Sequence, residues 1–271
     1  MSLPTPAPGR VCVITGASGG IGADIARELA VRGHELVLVA RTAERLSALA
    51  EELADRHGTV AHVVPLDLTD RDARDSLVTE IESRGLTADV LVNNAGFSTT
   101  GPVHASDPGR ERDLVEVDVV AVVDLCSHLL PGMVQRGRGA VLNVASTAAF
   151  QPLPGQAAYG AAKAFVLSYT RSLSGELKGT GVTVTALCPG PVDTGFGEAA
   201  GFSKEEAENA LPKIMWLPAA EVARRAVAGL DKGTLVVIPG LANRLGAGFS
   251  NVVPKRLLIP ILAKNHPALP H

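Results

Sequence analysis

The chain is poor in aromatic residues, poor in cysteine and nearly balanced in charge. Phe, Tyr and Trp make up 3% of its 271 residues. Its core must therefore be built from small aliphatic side chains. With 46% hydrophobic residues and 28 Gly, this composition suits helices packed closely on a parallel sheet. Three widely separated cysteines, Cys12, Cys126 and Cys188, cannot form a disulfide framework. They read as reduced, buried thiols of a cytoplasmic protein. A net charge of −3 argues against a nucleic-acid partner. No run reaches the ~18 apolar residues of a membrane span, and the nearest, 252–263, is interrupted by Pro254, Lys255, Arg256 and Pro260. His34, His57, His62, His104, His128, His266 and His271 show no metal-ligand spacing, so no metal site is expected. Residues 1–9 carry prolines and no charged side chain, and lack the basic start and apolar stretch of a signal peptide. A disordered leader is expected there.

Short apolar runs alternate with helical patterns. The runs at 11–15, 36–40, 60–66, 90–93, 140–145, 182–188 and 235–238 are apolar in succession, as in strands buried on both faces. Helical patterns fall at 20–32, 42–56, 70–83, 110–136, 157–178 and 219–230. This alternation predicts an α/β fold: one Rossmann-like, doubly wound domain with a seven-stranded parallel sheet and helices on both faces. The expected catalytic domain spans 10–240, with a lid at about 195–217. A tail at 241–271 would pack on the domain or on an oligomer partner.

Thr15-Gly-Ala-Ser-Gly-Gly-Ile-Gly22 links the first strand to the first helix. Gly16, Gly20 and Gly22 permit a tight turn and let a pyrophosphate approach backbone N–H groups at a helix N-terminus, with Ser18 and Ile21 in the same loop. The second strand ends in Ala40-Arg41-Thr42, where an NAD site would want a carboxylate. Arg41, helped by Ser18 and Arg45, suits a 2′-phosphate instead, so NADP(H) is preferred without excluding NAD(H). Asp67 either accepts from an adenine amino group or caps the helix beginning near Asp70. Asn93-Asn-Ala-Gly96 puts amides and small residues, among them Ala95 and Gly96, at the end of the fourth strand.

Tyr159 and Lys163 stand four residues apart on one helix face, with Ser146 thirteen residues before the tyrosine. A tyrosine pKa near ~10 is too high for efficient proton transfer at neutral pH, and a nearby ammonium favours the phenolate. Tyr159 can then act as general acid/base while Ser146 holds the substrate oxygen. The cofactor handles the hydride.

These segments together resemble the short-chain dehydrogenase/reductase family over roughly 10–240. The matching features are the glycine loop, Asp67, Asn93-Asn-Ala-Gly96, Ser146, Tyr159 with Lys163, and Pro189-Gly-Pro-Val-Asp-Thr194. The glycine spacing and chain length differ from the family's extended branch. The resemblance implies that Asn93 meets the adenosine ribose and that Lys163 also bonds the nicotinamide ribose. It places Val192 beneath the nicotinamide and Thr194 at its amide or phosphate, in the segment opened by Pro189 and Gly190. It further implies a homodimer or homotetramer formed through the helices at 110–136 and 157–178. One position departs: where the family usually has an asparagine supporting a water relay to the lysine, this chain has Asp118. Its carboxylate is expected to raise the pKa of both Lys163 and Tyr159.

The expected substrate is a small carbonyl compound or alcohol with an apolar body. Phe97, Phe150, Leu153, Phe196, Phe202 and Trp216 are candidates to line its pocket. The competing readings are a nucleotide-binding protein with little turnover, motivated by Asp118, and an interaction protein whose main surface is the tail.

Overall fold

The protein is described by a computed structural model covering residues 3–201, 212–264 and 268–269. Seven parallel strands, β1 (Arg10–Thr15), β2 (Glu35–Ala40), β3 (Ala61–Pro65), β4 (Thr87–Asn93), β5 (Gly139–Val144), β6 (Val182–Leu187) and β7 (Val236–Val237), lie in the order β3-β2-β1-β4-β5-β6-β7. The direction in which successive strands are added reverses between β1 and β4. In doubly wound sheets that switch point opens a crevice at the carboxyl ends of the strands.

Both faces of the sheet are covered, which is why the strands read as unbroken apolar runs. Cys12, Ile14, Leu36 and Leu38 face one way and pack under α1 (Gly20–Val31), α2 (Ala43–His57) and α7 (Ala219–Asp231). Their neighbours Val11, Val13, Val37 and Val39 face the other way, under α3 (Arg71–Ser83), α5 (Ala121–Gln135) and α6 (Ala157–Glu176). Apolar burial on two faces, at about 25 cal/mol per Å², is the main stabilising term of such a sheet. Helix ends follow local chemistry. Asp70 caps α3 by accepting from the Ala73 N–H, and Gly58 ends α2 at φ 64°.

Three sequence expectations change and a fourth is made more specific. The helix expected over 110–136 is three pieces: α4 (Pro108–Val115), a π-helical turn at Glu116–Val120, and α5. Pro108 at its start and Asp107, accepting from Gly109, set the earlier beginning. The seventh strand shrinks to Val236–Val237 at the sheet edge. The segment expected to be a disordered leader lies along the domain from residue 3: Leu3 is buried, and Arg138 donates to the Thr5 carbonyl. An apolar anchor and a cation suffice to hold it. Finally, the tail contains two helices, α8 (Leu241–Val252) and α9 (Lys255–Lys264). Residues 202–211 of the expected lid, Phe202 included, and the two C-terminal histidines lie outside the described residues.

The stretch Pro108–Gln135 is long and apolar enough to cross a membrane by length and composition. It is nonetheless built into the domain, contributing Leu114, Leu125, Cys126 and Met133 to the interior.

Candidate active site

The carboxyl ends of β1 and β4 are tied together by two side chains. The Thr15 hydroxyl donates to the Val92 carbonyl at 3.3 Å and accepts from the N–H groups of Asn94 and Ala95, each at 3.0 Å. Asn94 Nδ2 reaches back to the carbonyls of Thr15 and Gly16 at 3.0 and 3.2 Å. The glycine loop is folded against this clasp. Gly16 has φ +65°, and a Cβ on Gly22 would come within 2.4 Å of Asn94 Nδ2 and of the Gly16 carbonyl oxygen. Only glycine allows that approach.

This cradle fits a pyrophosphate. The N-terminus of α1 opens at Gly19 and Gly20, and space beside Gly19 is open, with nothing within 4 Å of a Cβ built there. The positive end of this 12-residue helix, whose N-cap makes no side-chain hydrogen bond, opens toward that space. Ser18, Gly20, Arg45 and Thr194 line one end of a cavity of about 510 Å³ that runs on between α1 and α2, where Asp24, Arg27 and Glu52 line it. Gly20 and Thr194 approach so closely that a Cβ on Gly20 would sit 3.1 Å from the threonine Cβ. Arg41 is exposed at the rim, just past β2. Ile21 packs against the core behind the loop. Asp67 is also exposed, and its Oδ1 accepts from both the N–H and the hydroxyl of Thr69. Helix capping belongs to Asp70, so of the two expected roles Asp67 does not fill the cap.

Asn93 is not brought to the crevice. Its side chain points inward, where Nδ2 donates to Asn143 Oδ1 at 2.9 Å. Asn143 in turn donates to Thr170 on α6 at 3.0 Å, and Thr170 donates to the Val166 carbonyl at 2.7 Å. The cause is strand alternation: Asn93 and Asn94 emerge on opposite sides. The inward amide fixes α6 against the sheet, and the outward one holds the loop. Thr15 and Asn94 are the site-building residues that sequence reasoning missed, although both stand inside its motifs.

α6 presents Tyr159 and Lys163 to the ends of β4 and β5. Ser146 follows β5 and caps the 3-10 turn Thr147–Phe150, accepting from the Ala148 N–H at 3.1 Å. It stands on the Tyr159 side of the turn, where it acts to lower the phenol's pKa. Lys163, buried, donates to the Val144 carbonyl at 3.1 Å and sits 5.6 Å from the centroid of the tyrosine ring. On its other side, Lys163 Nζ lies 2.9 Å from Asp118 Oδ2. That contact is an ion pair rather than an aligned hydrogen bond, because Oδ2 has no hydrogen-bond partner of good geometry. Asp118 Oδ1 accepts from the Phe97 N–H at 3.0 Å. Gly96 lets the pair close: a Cβ there would meet both carboxylate oxygens at 3.0 Å and Nζ at 3.1 Å.

Asp118 stands in the π-helical turn, where an extra residue per turn swings a side chain off the regular helical spacing. Its carboxyl is pushed above the ordinary range by burial, against the pull of Lys163 and the Phe97 N–H. Burial acts to lower Lys163, but Asp118 and Tyr159 outweigh it and hold the ammonium above its ordinary value. Tyr159 is raised, first by burial and then by Asp118, with Lys163 and Ser146 opposing. The simple expectation of a tyrosine lowered by its lysine is therefore reversed. One buried carboxylate matches the ammonium charge for charge.

The remaining residues flank this centre. The Pro189 carbonyl accepts from the Thr147 N–H at 2.9 Å. Gly190 makes room for Asn243 of α8, and Val192 bridges to Leu217. Phe196 lies against Tyr159, with ring centroids 5.6 Å apart. Of the other expected pocket residues, Phe150 is core, Leu153 packs on Gly160, and Phe97 lies under Arg110.

A parallel sheet with this strand order, a glycine loop at its switch point and a Ser–Tyr–Lys arrangement beside it define a nucleotide-dependent oxidoreductase. The family model for short chain dehydrogenases matches residues 10–204, and the chain belongs to that family. Sulfoacetaldehyde reductase 2 of Chromohalobacter salexigens is 36% identical over 203 residues, covering 74% of this chain and 80% of its own length. An NADP-dependent 3-hydroxy acid dehydrogenase of Salmonella typhi is 35% identical over 183 residues, or 67% of this chain and 72% of that one. A short-chain dehydrogenase from Sphingobium yanoikuyae, solved in complex with NADPH, shares the fold with a TM-score of 0.79. Its identity is 35%, over 93% of this chain and 94% of that one.

Proposed function

We propose that the protein is an NADP(H)-dependent oxidoreductase interconverting a carbonyl group and a secondary alcohol on a substrate with an apolar body. The observation that carries this reading is Tyr159 and Lys163 on one face of α6, with Lys163 Nζ 5.6 Å from the tyrosine ring, at the end of the strand that Ser146 follows. Ser146 orients the substrate oxygen, and Tyr159 delivers its phenolic proton to that oxygen in reduction or removes it in oxidation. The bound nicotinamide supplies the hydride chemistry. Ser18, Gly20 and Ile21 would hold its pyrophosphate, Arg41 and Arg45 the 2′-phosphate, and Thr194 with Val192 the nicotinamide end. Asp67 would meet the adenine, and the backbone at Ala95 and Gly96 would border the nucleoside. The NADPH complex of the Sphingobium relative supports the cofactor choice. Phe196 beside Tyr159 supports an apolar substrate. The three buried free cysteines, with Cys126 and Cys188 each pushed up to about 12 by burial, support a reducing cytoplasmic setting. Assembly as a homodimer or homotetramer through the 110–136 and 157–178 segments is part of the same proposal.

A second reading has its own observation. The Asp118–Lys163 ion pair cancels the charge that would favour the phenolate, which suits a nucleotide-binding protein with low turnover. One experiment separates the two: fluorescence titration with NADPH and NADH, then a panel of ketones with the tighter cofactor. Carbonyl-dependent NADPH oxidation that disappears in Tyr159→Phe establishes the enzyme. Tight binding without turnover at any pH establishes the second reading.

A further inference from the structure

The two C-terminal helices carry an outward apolar face that the described residues leave exposed. On α8, Leu241, Leu245, Phe249 and Val252 recur at helical spacing, and the last three are 66%, 65% and 83% exposed. The opposite side of the same helix is fixed. Ala247 packs with Phe150 and Val166, Ser250 donates to Gln151 at 2.8 Å, and Asn243 donates to the carbonyls of Met215 and Pro239 at 2.9 and 3.0 Å. On α9, Leu258 is buried while Leu257, Ile259 and Ile261 are exposed. Ile214, in the turn that Asn243 holds, is exposed as well. The α8 part of the face is thus anchored to the domain through its opposite side.

Its charge says what it faces. Residues 232–271 contain Lys232, Arg244, Lys255, Arg256 and Lys264 and not one aspartate or glutamate, although the whole chain is net −3. Positive charge is segregated onto the segment that carries the exposed apolar residues. Arg244 is exposed one residue before Leu245 on α8, and α9 carries exposed Arg256 and Lys264 near its two ends. Soluble proteins seldom leave such an apolar patch open without an occupant. A second copy docked face to face would bring one segment carrying only cations against another, with no carboxylate on either to pair them. An anionic bilayer surface satisfies both features at once, taking the apolar side chains into its headgroup boundary and the cations at its phosphates.

We propose that α8 and α9 form a peripheral membrane-docking face for anionic lipid surfaces. The face is joined through Phe150 and Gln151 to the turn that begins at Ser146, so docking sets the bilayer against the elements bordering the crevice. The proposal does not depend on the enzymatic reading, because its measurement is binding.

The test is co-sedimentation of the full chain with phosphatidylcholine vesicles and with vesicles of phosphatidylcholine and phosphatidylglycerol. Binding is expected only to the anionic vesicles, weakening as salt rises. Leu245→Glu with Phe249→Glu should lower it by at least tenfold. Arg256→Glu with Lys264→Glu, at exposed positions that leave the core untouched, should lower it by about fivefold or more per cation. An unchanged thermal unfolding midpoint in both variants shows that each is folded. No binding to either vesicle, or equal binding to both, overturns the proposal. So does a change from oligomer to monomer in the Leu245/Phe249 variant with vesicle binding unaltered, which would assign the face to a second copy.

Discussion

Two buried carboxylates sit near opposite ends of β4, and their surroundings could hardly differ more. Asp89, near the start of the strand, has three cations: Arg10 at 3.0 Å, Arg138 at 2.7 Å and Arg136 at 3.7 Å. The three arginines are each about a third exposed, so water shares the load of their charge. Asp118, over the far end, has one cation, Lys163, itself 5% exposed, and one backbone N–H. The first arrangement surrounds a carboxylate with half-solvated donors at the amino end of the sheet, where it ties the leader, β1 and the α5–β5 turn together. The second leaves a matched pair without spare donors, beside a tyrosine at the mouth of a crevice. Buried charge of the first kind holds a scaffold. Buried charge of the second kind sets the protonation of its neighbours.

Substitutions can break that contrast or make it sharper. The largest effect is expected at the functional end: Tyr159→Phe should lower kcat by about 10²- to 10⁴-fold, the range of a lost general acid/base, while NADPH titration stays unchanged. Intact turnover would mean that the charged centre is not the reacting one. At the scaffold end, Asp89→Ala strands three arginines. It should cost about 3–5 kcal/mol, seen as a fall in Tm of roughly 10 °C, with the pH profile of the surviving activity unaltered. Should the profile move instead, Asp89 is part of the site and the contrast fails.

Arg41→Ala probes a cation at the rim of the crevice, outside both clusters. Its loss should weaken NADPH about tenfold, as expected for one charge-assisted contact, and leave NADH unaffected. Equal weakening of both cofactors would remove the 2′-phosphate argument. The gentlest change is Asp118→Asn, which keeps shape and removes charge. Tyr159 is held up by burial and by Asp118, so alcohol oxidation, which needs the phenolate, should rise only toward alkaline pH in the parent protein. Removing the carboxylate takes away a raising influence, and the limb should shift to lower pH with the maximal rate changed only a few-fold. A limb that stays in place, measured as kcat/KM against pH, would show that Asp118 does not reach the tyrosine.

Much of the fold and of the site is legible in the amino-acid sequence. Strands buried on both faces advertise themselves as continuous apolar runs, and the glycine loop, Ser146, Tyr159 and Lys163 have spacings that local geometry alone interprets. The positions that mislead share a different cause. Asn93 and Asn94 are identical in type and adjacent, and only the direction of the strand end sends one inward to Asn143 and the other outward to Gly16. The π-helical turn at Glu116–Val120 leaves the apolar periodicity of 110–136 almost intact, so the sequence shows one helix where there are three pieces. Glycines and prolines, among them Gly246, Gly248, Pro254 and Pro260, interrupt the helical pattern of α8 and α9, which the sequence alone gives only as a tail without assigned elements.

By itself, then, the sequence determined the alternation of strand and helix, the place of the glycine loop and the position of Tyr159 and Lys163 on one helix face. These follow from short-range chemistry: side-chain period, turn stereochemistry and the i to i+4 step of a helix. Only the tertiary structure decided that Asp118 pairs with Lys163, that Asp89 is encircled by arginines, and that an apolar, cationic face stands open on α8 and α9. Each of those depends on which distant segments meet and on how much water is excluded where they do, and neither quantity is written in any local window of the chain.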